Sequence, residues 1–230
     1  MNWRSQCAAV IPCLNEESAI ASLVAKVCVH VGAVLVVDDG STDRTANFAR
    51  RAGAEILRHE KTKGKGAALQ TGWRAARERG FVWALALDGD GQHSPDDIPG
   101  FFQCADRTGA ALLVGNRMVA AGRMPWLRRR VNRWMSRRLS EATGTVLPDS
   151  QCGFRLLSLA ALAALPIRSE HFEIESELLV GFIAAGYKVE FIPIQVIYKN
   201  EQSKIHPVQD TLRWFGWWRR WRRTLPEGPK

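Results

Sequence analysis

The stretch Trp83-Ala84-Leu85-Ala86-Leu87-Asp88-Gly89-Asp90-Gly91-Gln92-His93 decides how the chain is read, because an apolar run stops at two carboxylates separated by one glycine. If residues 83–87 form a buried strand, the two-residue side-chain period sets Asp88 and Asp90 on the same side as the chain leaves the sheet. Two like charges on one side repel unless a positive group stands between them. Mg2+ or Mn2+ suits that place, since these hard cations take oxygen ligands and often combine one or two carboxylates with the oxygens of a bound diphosphate. The glycines allow a tight turn and a close approach to a ligand. A metal-free surface turn is the bland alternative, because Asp and Gly favour turns for conformational reasons of their own.

The segments before this stretch repeat its pattern. Cys7 to Cys13 reads as a buried strand, and a turn at Leu14 to Ser18 leads into apolar periodicity over Ile20 to Val29. Ala33 to Val37 is a second apolar run, and it ends in Asp38-Asp39-Gly40-Ser41-Thr42-Asp43. Ser41 or Thr42 is placed to cap a helix over Thr45 to Ala52, and Glu55 to Leu57 reads as a short third strand. This alternation predicts an α/β fold with a mostly parallel sheet, whose ligands bind beyond the carboxyl ends of the strands. Both acidic clusters then share one rim. Lys61 to Ala67 precedes a helix from about Ala68 to Arg79 but lacks the residue order of a nucleotide-triphosphatase loop. It reads either as a basic, glycine-bearing neighbour for a phosphate or as a solvated lysine turn.

Downstream, Ser94-Pro95-Asp96-Asp97 is a helix start, with a capping serine, a proline in the first turn and acids at the positive end of the dipole. Ala110 to Gly115 predicts another strand leading to Asn116-Arg117. From Leu127, the residues Leu127, Val131, Trp134, Met135 and Leu139 recur at helical spacing and are expected to pack, leaving six arginines on the remaining surface. Either that surface is simply solvated or it faces an anion. Asp149 to Arg155 reads as a polar loop entering a short segment near Leu156 to Ser158, Phe172 to Ala185 as a helix, and Tyr187 to Tyr198 as an edge strand.

Composition bounds the rest. A chain of 230 residues with 46% hydrophobic content holds one large α/β domain, expected over residues 1–206, with an appendage over 207–230. No signal peptide opens it, and no apolar run reaches the roughly 18 residues of a membrane span, so a cytoplasmic location is expected. Five scattered cysteines suggest neither a disulfide framework nor a zinc site. The net charge of +9 crowds into residues 117–138 and 213–223, which asks for an anionic partner. In the appendage, Trp214, Trp217, Trp218 and Trp221 fall at i, i+3, i+4 and i+7, with arginines outside that stripe. This pattern reads as a helix lying in an anionic membrane interface. The competing readings are a tryptophan stripe packed on the domain and stacking on nucleic acid.

Six motifs in order, Ile11 to Glu16, Val37 to Asp43, Gly64-Lys65-Gly66, Asp88 to His93, Gly115-Asn116-Arg117 and Asp149 to Arg155, resemble the family 2 glycosyltransferases of GT-A fold. Within that family the likeness is to dolichyl- and polyprenyl-phosphate mannose or glucose synthases. The resemblance implies a nucleotide-sugar donor held by Pro12, Asn15, Glu16, Asp38, Asp39, Lys65, Asp88 and Gly89, with Asp88, Asp90 and Gln92 as ligands of Mg2+ or Mn2+. It further implies an acceptor phosphate held by Arg117, Arg130, Arg133, Gln151, Arg155, Ser203 and Lys204, and makes Asp90, Arg117 and Asp149 the catalytic candidates. Many relatives carry transmembrane helices after this domain, so membrane attachment here is expected to be peripheral or supplied by a membrane-protein partner. The expected reaction is metal-dependent, inverting sugar transfer to a polyprenyl phosphate. The alternatives are a soluble glycan or protein hydroxyl as acceptor, with Asp149 as base, and, least favoured, a basic nucleic-acid-binding module.

Overall fold

Four apolar segments that end at polar turns form the first half of the sheet: β1 (Cys7–Cys13), β2 (Ala33–Asp38), β3 (Glu55–Arg58) and β4 (Trp83–Ala86). They pair in parallel, with β1 between β2 and β4 and with β3 outside β2. The computed structural model describes residues 1–119, 124–197 and 207–223. Every residue of β1 is buried, as is expected of a central strand covered on both faces. The second half consists of β5 (Leu112–Asn116), β6 (Arg155–Ser158) and β7 (Val189–Pro193), giving the order β3-β2-β1-β4-β6-β5-β7. β6 runs antiparallel to both β4 and β5, and β7 lies parallel to β5 at the edge, where its Pro193 was expected.

The helices are α1 (Trp3–Gln6), α2 (Ile20–Val27), α3 (Thr45–Arg51), α4 (Lys65–Glu78), α5 (Ile98–Thr108), α6 (Trp126–Thr143), α7 (Leu159–Ala163), α8 (Ile174–Ala184) and α9 (Pro207–Arg222). A short 3-10 turn, Pro95–Asp97, precedes α5, and Ser94 Oγ accepts the Asp96 N–H. The fold is thus α/β with a mostly parallel mixed sheet. The chain moves outward from β1 to β3 and then returns to β4 on the other side, so β1 and β4 flank the switch point where ligands of such sheets bind.

Two helices depart from the expected packing. α6 buries Asn132, Met135, Ser136 and Leu139, so its inward face is half polar, and Leu127, Val131 and Trp134 are exposed instead. α9 packs on the domain: Trp214 and Trp217 are buried, and the Trp214 Nε1–H donates to Ser176 Oγ at 2.9 Å. Presentation of all four tryptophans to a bilayer is therefore corrected, because two of them are spent on the core and Trp218 and Trp221 are only half exposed. Among the described residues no helix is long and apolar enough to cross a membrane.

One close approach fixes how α4 meets the sheet. A methyl group at Gly72 would overlap Val10 Cγ1 of β1 and crowd Val37 Cγ2 of β2. We therefore expect Gly72→Ala to destabilise the fold by about 1–3 kcal/mol, the range for overpacked cores. Urea denaturation checks this, and adding Val10→Ala should recover part of the loss.

Candidate active site

The site is built at the carboxyl ends of β1, β2 and β4. After β1, Asn15 adopts a left-handed backbone (φ 53°), its N–H donates to Ser41 Oγ at 2.9 Å, and its Oδ1 accepts the Thr42 N–H at 2.9 Å. The Glu16 N–H donates to Thr45 Oγ1 at 2.7 Å. These bonds lace the two strand-end loops together, which places Pro12, Asn15 and Glu16 beside the second acidic cluster. Asp38 is buried, with Oδ1 accepting the Ser41 N–H at 2.8 Å and Oδ2 at 3.4 Å from Arg58 Nε. Asp39 accepts the Lys63 and Gly64 N–H groups at 2.9 and 2.8 Å, and His59 Nδ1 lies 2.7 Å from its Oδ1. The lysine-glycine loop is thus tied to the rim through Asp39. His59 was not picked out from sequence; a histidine just past a short strand carries no signal of its own.

Beyond β4 lies the central acidic pair. Asp88 is at 2.5 Å from Lys65 Nζ, and the same ammonium is 2.6 Å from Glu175 Oε1 of α8. Burial alone would lower the Lys65 pKa, but the two carboxylates outweigh it and raise it; burial would raise that of Asp88, yet Lys65, His93 and Arg117 hold it well below the usual carboxylate range. Glu175 is buried, and its Oε2 has no hydrogen-bond partner among the described residues. Three glutamates alternate in the segment 173–177, and nothing in their spacing marks which one turns inward. Asp90 and Gln92 are partly exposed, and Asp90 Oδ1 accepts the Gln92 N–H at 2.9 Å. His93 is buried against Phe154 at 5.3 Å between ring centroids, and desolvation lowers its pKa despite the two nearby aspartates.

Two carboxylates and one amide at an open rim form a hard oxygen donor set. That set fits a divalent cation sharing its remaining positions with a diphosphate and water. It does not amount to an all-protein cage, and among the described residues no three His, Cys, Asp or Glu groups cluster as one.

The acceptor-side loop comes to this same place because β6 runs antiparallel, so the residues before it, 149–154, emerge at the rim. A Cβ at Gly153 would stand 2.6 Å from Asp88 Oδ1 and 2.9 Å from Lys65 Nζ, so glycine lets the loop abut the Asp88–Lys65 ion pair without displacing it. Asp149 is fully buried. Its Oδ2 accepts the Arg117 N–H at 3.0 Å and Nε–H at 2.8 Å, and its Oδ1 accepts Arg117 Nη2 and Asn132 Nδ2, each at 2.9 Å. Burial pushes the Asp149 pKa up, but the charge and hydrogen bonds of Arg117 outweigh it and hold it below the ordinary value. Burial likewise pushes the Cys152 thiol up to about 12, leaving it an uncharged filler.

Several expected acceptor ligands are not brought to the cleft. Arg155 is fully buried and donates to the carbonyls of Cys152, Ser150 and Glu175 at 2.8, 2.9 and 2.6 Å, so it clamps the loop and cannot meet a phosphate. Gln151 donates to Ser150 Oγ and Ser176 Oγ, each at 2.9 Å, and bridges the loop to α8. Asn132 is the α6 side chain that reaches Asp149, so Arg130, about 200° further round a helix of 3.6 residues per turn, points away from it. Arg133 sits about 100° to one side, and both arginines are exposed. Asn132 and Ser136 were missed because an apolar pattern search passes over polar residues. Ser203 and Lys204 lie outside the described residues. The chain approaches them from Ile197, whose N–H donates to the Gln92 carbonyl at 2.9 Å.

A switch-point cleft with acids at three strand ends, on a sheet with an antiparallel strand next to the central four, defines a nucleotide-diphospho-sugar transferase fold. A profile described as Glycosyl transferase family 2 matches residues 8–165. The chain is 31% identical over 212 residues to the UDP-N-acetylglucosamine–dolichyl-phosphate N-acetylglucosaminyltransferase of Methanococcus voltae, covering 82% of this chain and 84% of that protein. It is 32% identical over 159 residues to the undecaprenyl-phosphate mannosyltransferase of Micrococcus luteus, covering 66% and 62%. Its fold resembles that of Mycobacterium tuberculosis glucosyl-3-phosphoglycerate synthase crystallised with Mg2+ and uridine diphosphate, with TM-score 0.69, 24% identity and coverage of 90% and 74%. The chain belongs to glycosyl transferase family 2, and it is a glycosyltransferase.

Removing the negative charge at Asp149 would leave the Arg117 guanidinium buried without its counter-charge. Asp149→Asn should therefore lower stability by about 3–5 kcal/mol in chemical denaturation at neutral pH. The sign in acid follows from the lowered pKa. The contribution of Asp149 is present above its unfolded value of about 3.9 and is lost as pH falls through the lower folded value, so the variant should show a flatter acid limb than the parent.

Proposed function

We propose that this glycosyltransferase moves a sugar from a nucleoside-diphosphate sugar to a polyprenyl phosphate, working while peripherally attached at the cytoplasmic face of a membrane. The observation that carries the choice of acceptor is the state of Asp149. A hydroxyl acceptor needs a general base, and Asp149, the acid placed for that role, has both oxygens occupied and its basicity lowered. A phosphate monoester needs no such base. Its second pKa is about 6, so at neutral pH it is largely a dianion whose oxygen can attack unaided. The names of the M. voltae and M. luteus relatives, both acting on polyprenyl-type phosphates, support the same reading.

In this reading the donor lies along the loops after β1, β2 and β4, with Asn15, Glu16 and Asp39 near its base and ribose and Lys65 near its diphosphate. Asp88, Asp90 and Gln92 would hold Mg2+ or Mn2+, which supplies Lewis-acid stabilisation of the departing diphosphate. Arg117, clamped by Asp149 through Nε and Nη2, keeps Nη1 as the donor to present to the acceptor phosphate. Arginine in such a clamp orients an anion and removes no proton from it. The attacking phosphate oxygen forms a bond to the anomeric carbon as the bond to the donor diphosphate breaks, which inverts that carbon.

A partition assay tests this. Purified protein, Mg2+ or Mn2+, a polyprenyl phosphate in detergent and radiolabelled nucleotide sugars should carry label into the organic phase, and Asp90→Asn should lower that transfer by about 100-fold or more. Transfer should rise with pH to a plateau around a midpoint of about 6, that of the acceptor phosphate. Label retained in water with glycan acceptors, or unaltered transfer in Asp90→Asn, would count against the acceptor or the metal ligands respectively.

A further inference from the structure

We infer that the outer faces of α6 and α9 together form a docking surface for an anionic lipid bilayer, centred on Trp126, Leu127, Val131, Leu212 and Phe215 and not on the buried Trp214 and Trp217. Half of the exposed large apolar side chains among the described residues belong to these two helices: Trp126 (64% exposed), Leu127 (56%), Val131, Trp134, Leu212 (66%) and Phe215. On α6, Leu127, Val131 and Trp134 follow one another at i, i+4 and i+7 and so form a stripe. Trp134 packs its ring 5.3 Å from Phe215 of α9, and Leu212 lies one turn before Phe215. The two stripes therefore meet through Trp134 and Phe215 as one apolar face rather than as singly scattered apolar side chains.

Charge selects the occupant. Arg128 and Arg130 flank the α6 stripe on its two sides, and the one acid on that helix, Glu141, is already taken by Arg137 and Arg138 at 2.8 and 3.3 Å. On α9, Arg219, Arg220 and Arg222 are exposed with no acid between Asp210 and Arg223. Between the helices runs a groove of about 470 Å3 lined by Trp134, Phe215 and Trp218 together with Arg138, Arg222 and Glu141, the last already paired with Arg137 and Arg138. Apolar side chains framed by guanidinium groups match the acyl region and phosphates of an anionic bilayer. A second copy of the chain would bring arginine against arginine. A nucleic acid would leave Leu127, Val131 and Leu212 unused.

The inference extends the lipid-phosphate reading above but is tested without donor or acceptor. The protein is sedimented with vesicles of phosphatidylcholine alone, or of phosphatidylcholine and phosphatidylglycerol in a two-to-one ratio. Binding to the anionic vesicles should be stronger by about tenfold or more and should weaken as salt rises. The triple variant Trp126→Ser, Leu127→Ser, Leu212→Ser should lose about tenfold or more of that binding, with unchanged thermal unfolding because all three side chains are exposed. Equal binding by variant and parent, no binding by the parent, or a concentration-dependent dimer abolished by the variant would each overturn the docking surface. Vesicle binding without sugar transfer would instead overturn the lipid-phosphate reading and leave the surface standing; transfer in detergent without vesicle binding would do the reverse.

Discussion

Asp149 is a carboxylate with no access to water, and the acceptor-side half of the molecule is arranged around satisfying it. A buried charge is tolerated only when its lone pairs and its counter-charge are both provided. Arg117 provides the charge, and Asn132 brings α6 to the same carboxylate. The requirement then spreads. Asn132 accepts the one O–H of Ser136, Ser136 Oγ accepts the Ser150 N–H and lies 3.0 Å from Ser150 Oγ, Gln151 donates to Ser150 and Ser176, and Ser176 accepts the indole N–H of Trp214. An unbroken run of hydrogen bonds thus joins the loop beside Asp88 to the last helix. The same logic governs the donor side, where Lys65 stands between Asp88 and Glu175 and offsets the repulsion of the two acids.

Much of this was legible in the sequence where burial and polarity change abruptly. Cys7–Cys13 and Ala33–Asp38 announce themselves as buried strands, and the acids at the end of the second lie at the carboxyl edge of the sheet. The glycine at 153 was legible as part of a motif, but the reason for it, an approach to Asp88, was not. Hidden from the sequence were the partners of charges. Nothing local says that Lys65 reaches Glu175 across more than a hundred residues, or that Arg155 turns inward to three carbonyls when Arg130 and Arg133 turn outward.

α6 shows the limit most clearly. Hydrophobic periodicity ranks residues by their preference for leaving water, and on that ranking Leu127, Val131 and Trp134 belong inside. The structure puts Asn132 and Ser136 there instead, because Asp149 and Ser150 need hydrogen bonds from that face. The apolar residues so displaced reach the surface beside α9. A tertiary polar requirement overrode a local pattern, and that override created the exposed apolar face.

The position of β6 has a consequence for how the chain reaches this state. β5 does not pair with β4; β6 lies between them, so the sheet cannot be completed in the order of synthesis. From the time Asn116 leaves the ribosome until Arg155 does, the edges of β4 and β5 wait unpaired, and the helix made in the interval carries exposed Leu127, Val131 and Trp134. Unpaired edges and apolar surface are the features that make nascent chains prone to mispairing. The insertion that carries the Asp149 loop to the acidic rim thus makes strand pairing the vulnerable late step of folding, and it ties completion of the cleft to closure of the sheet.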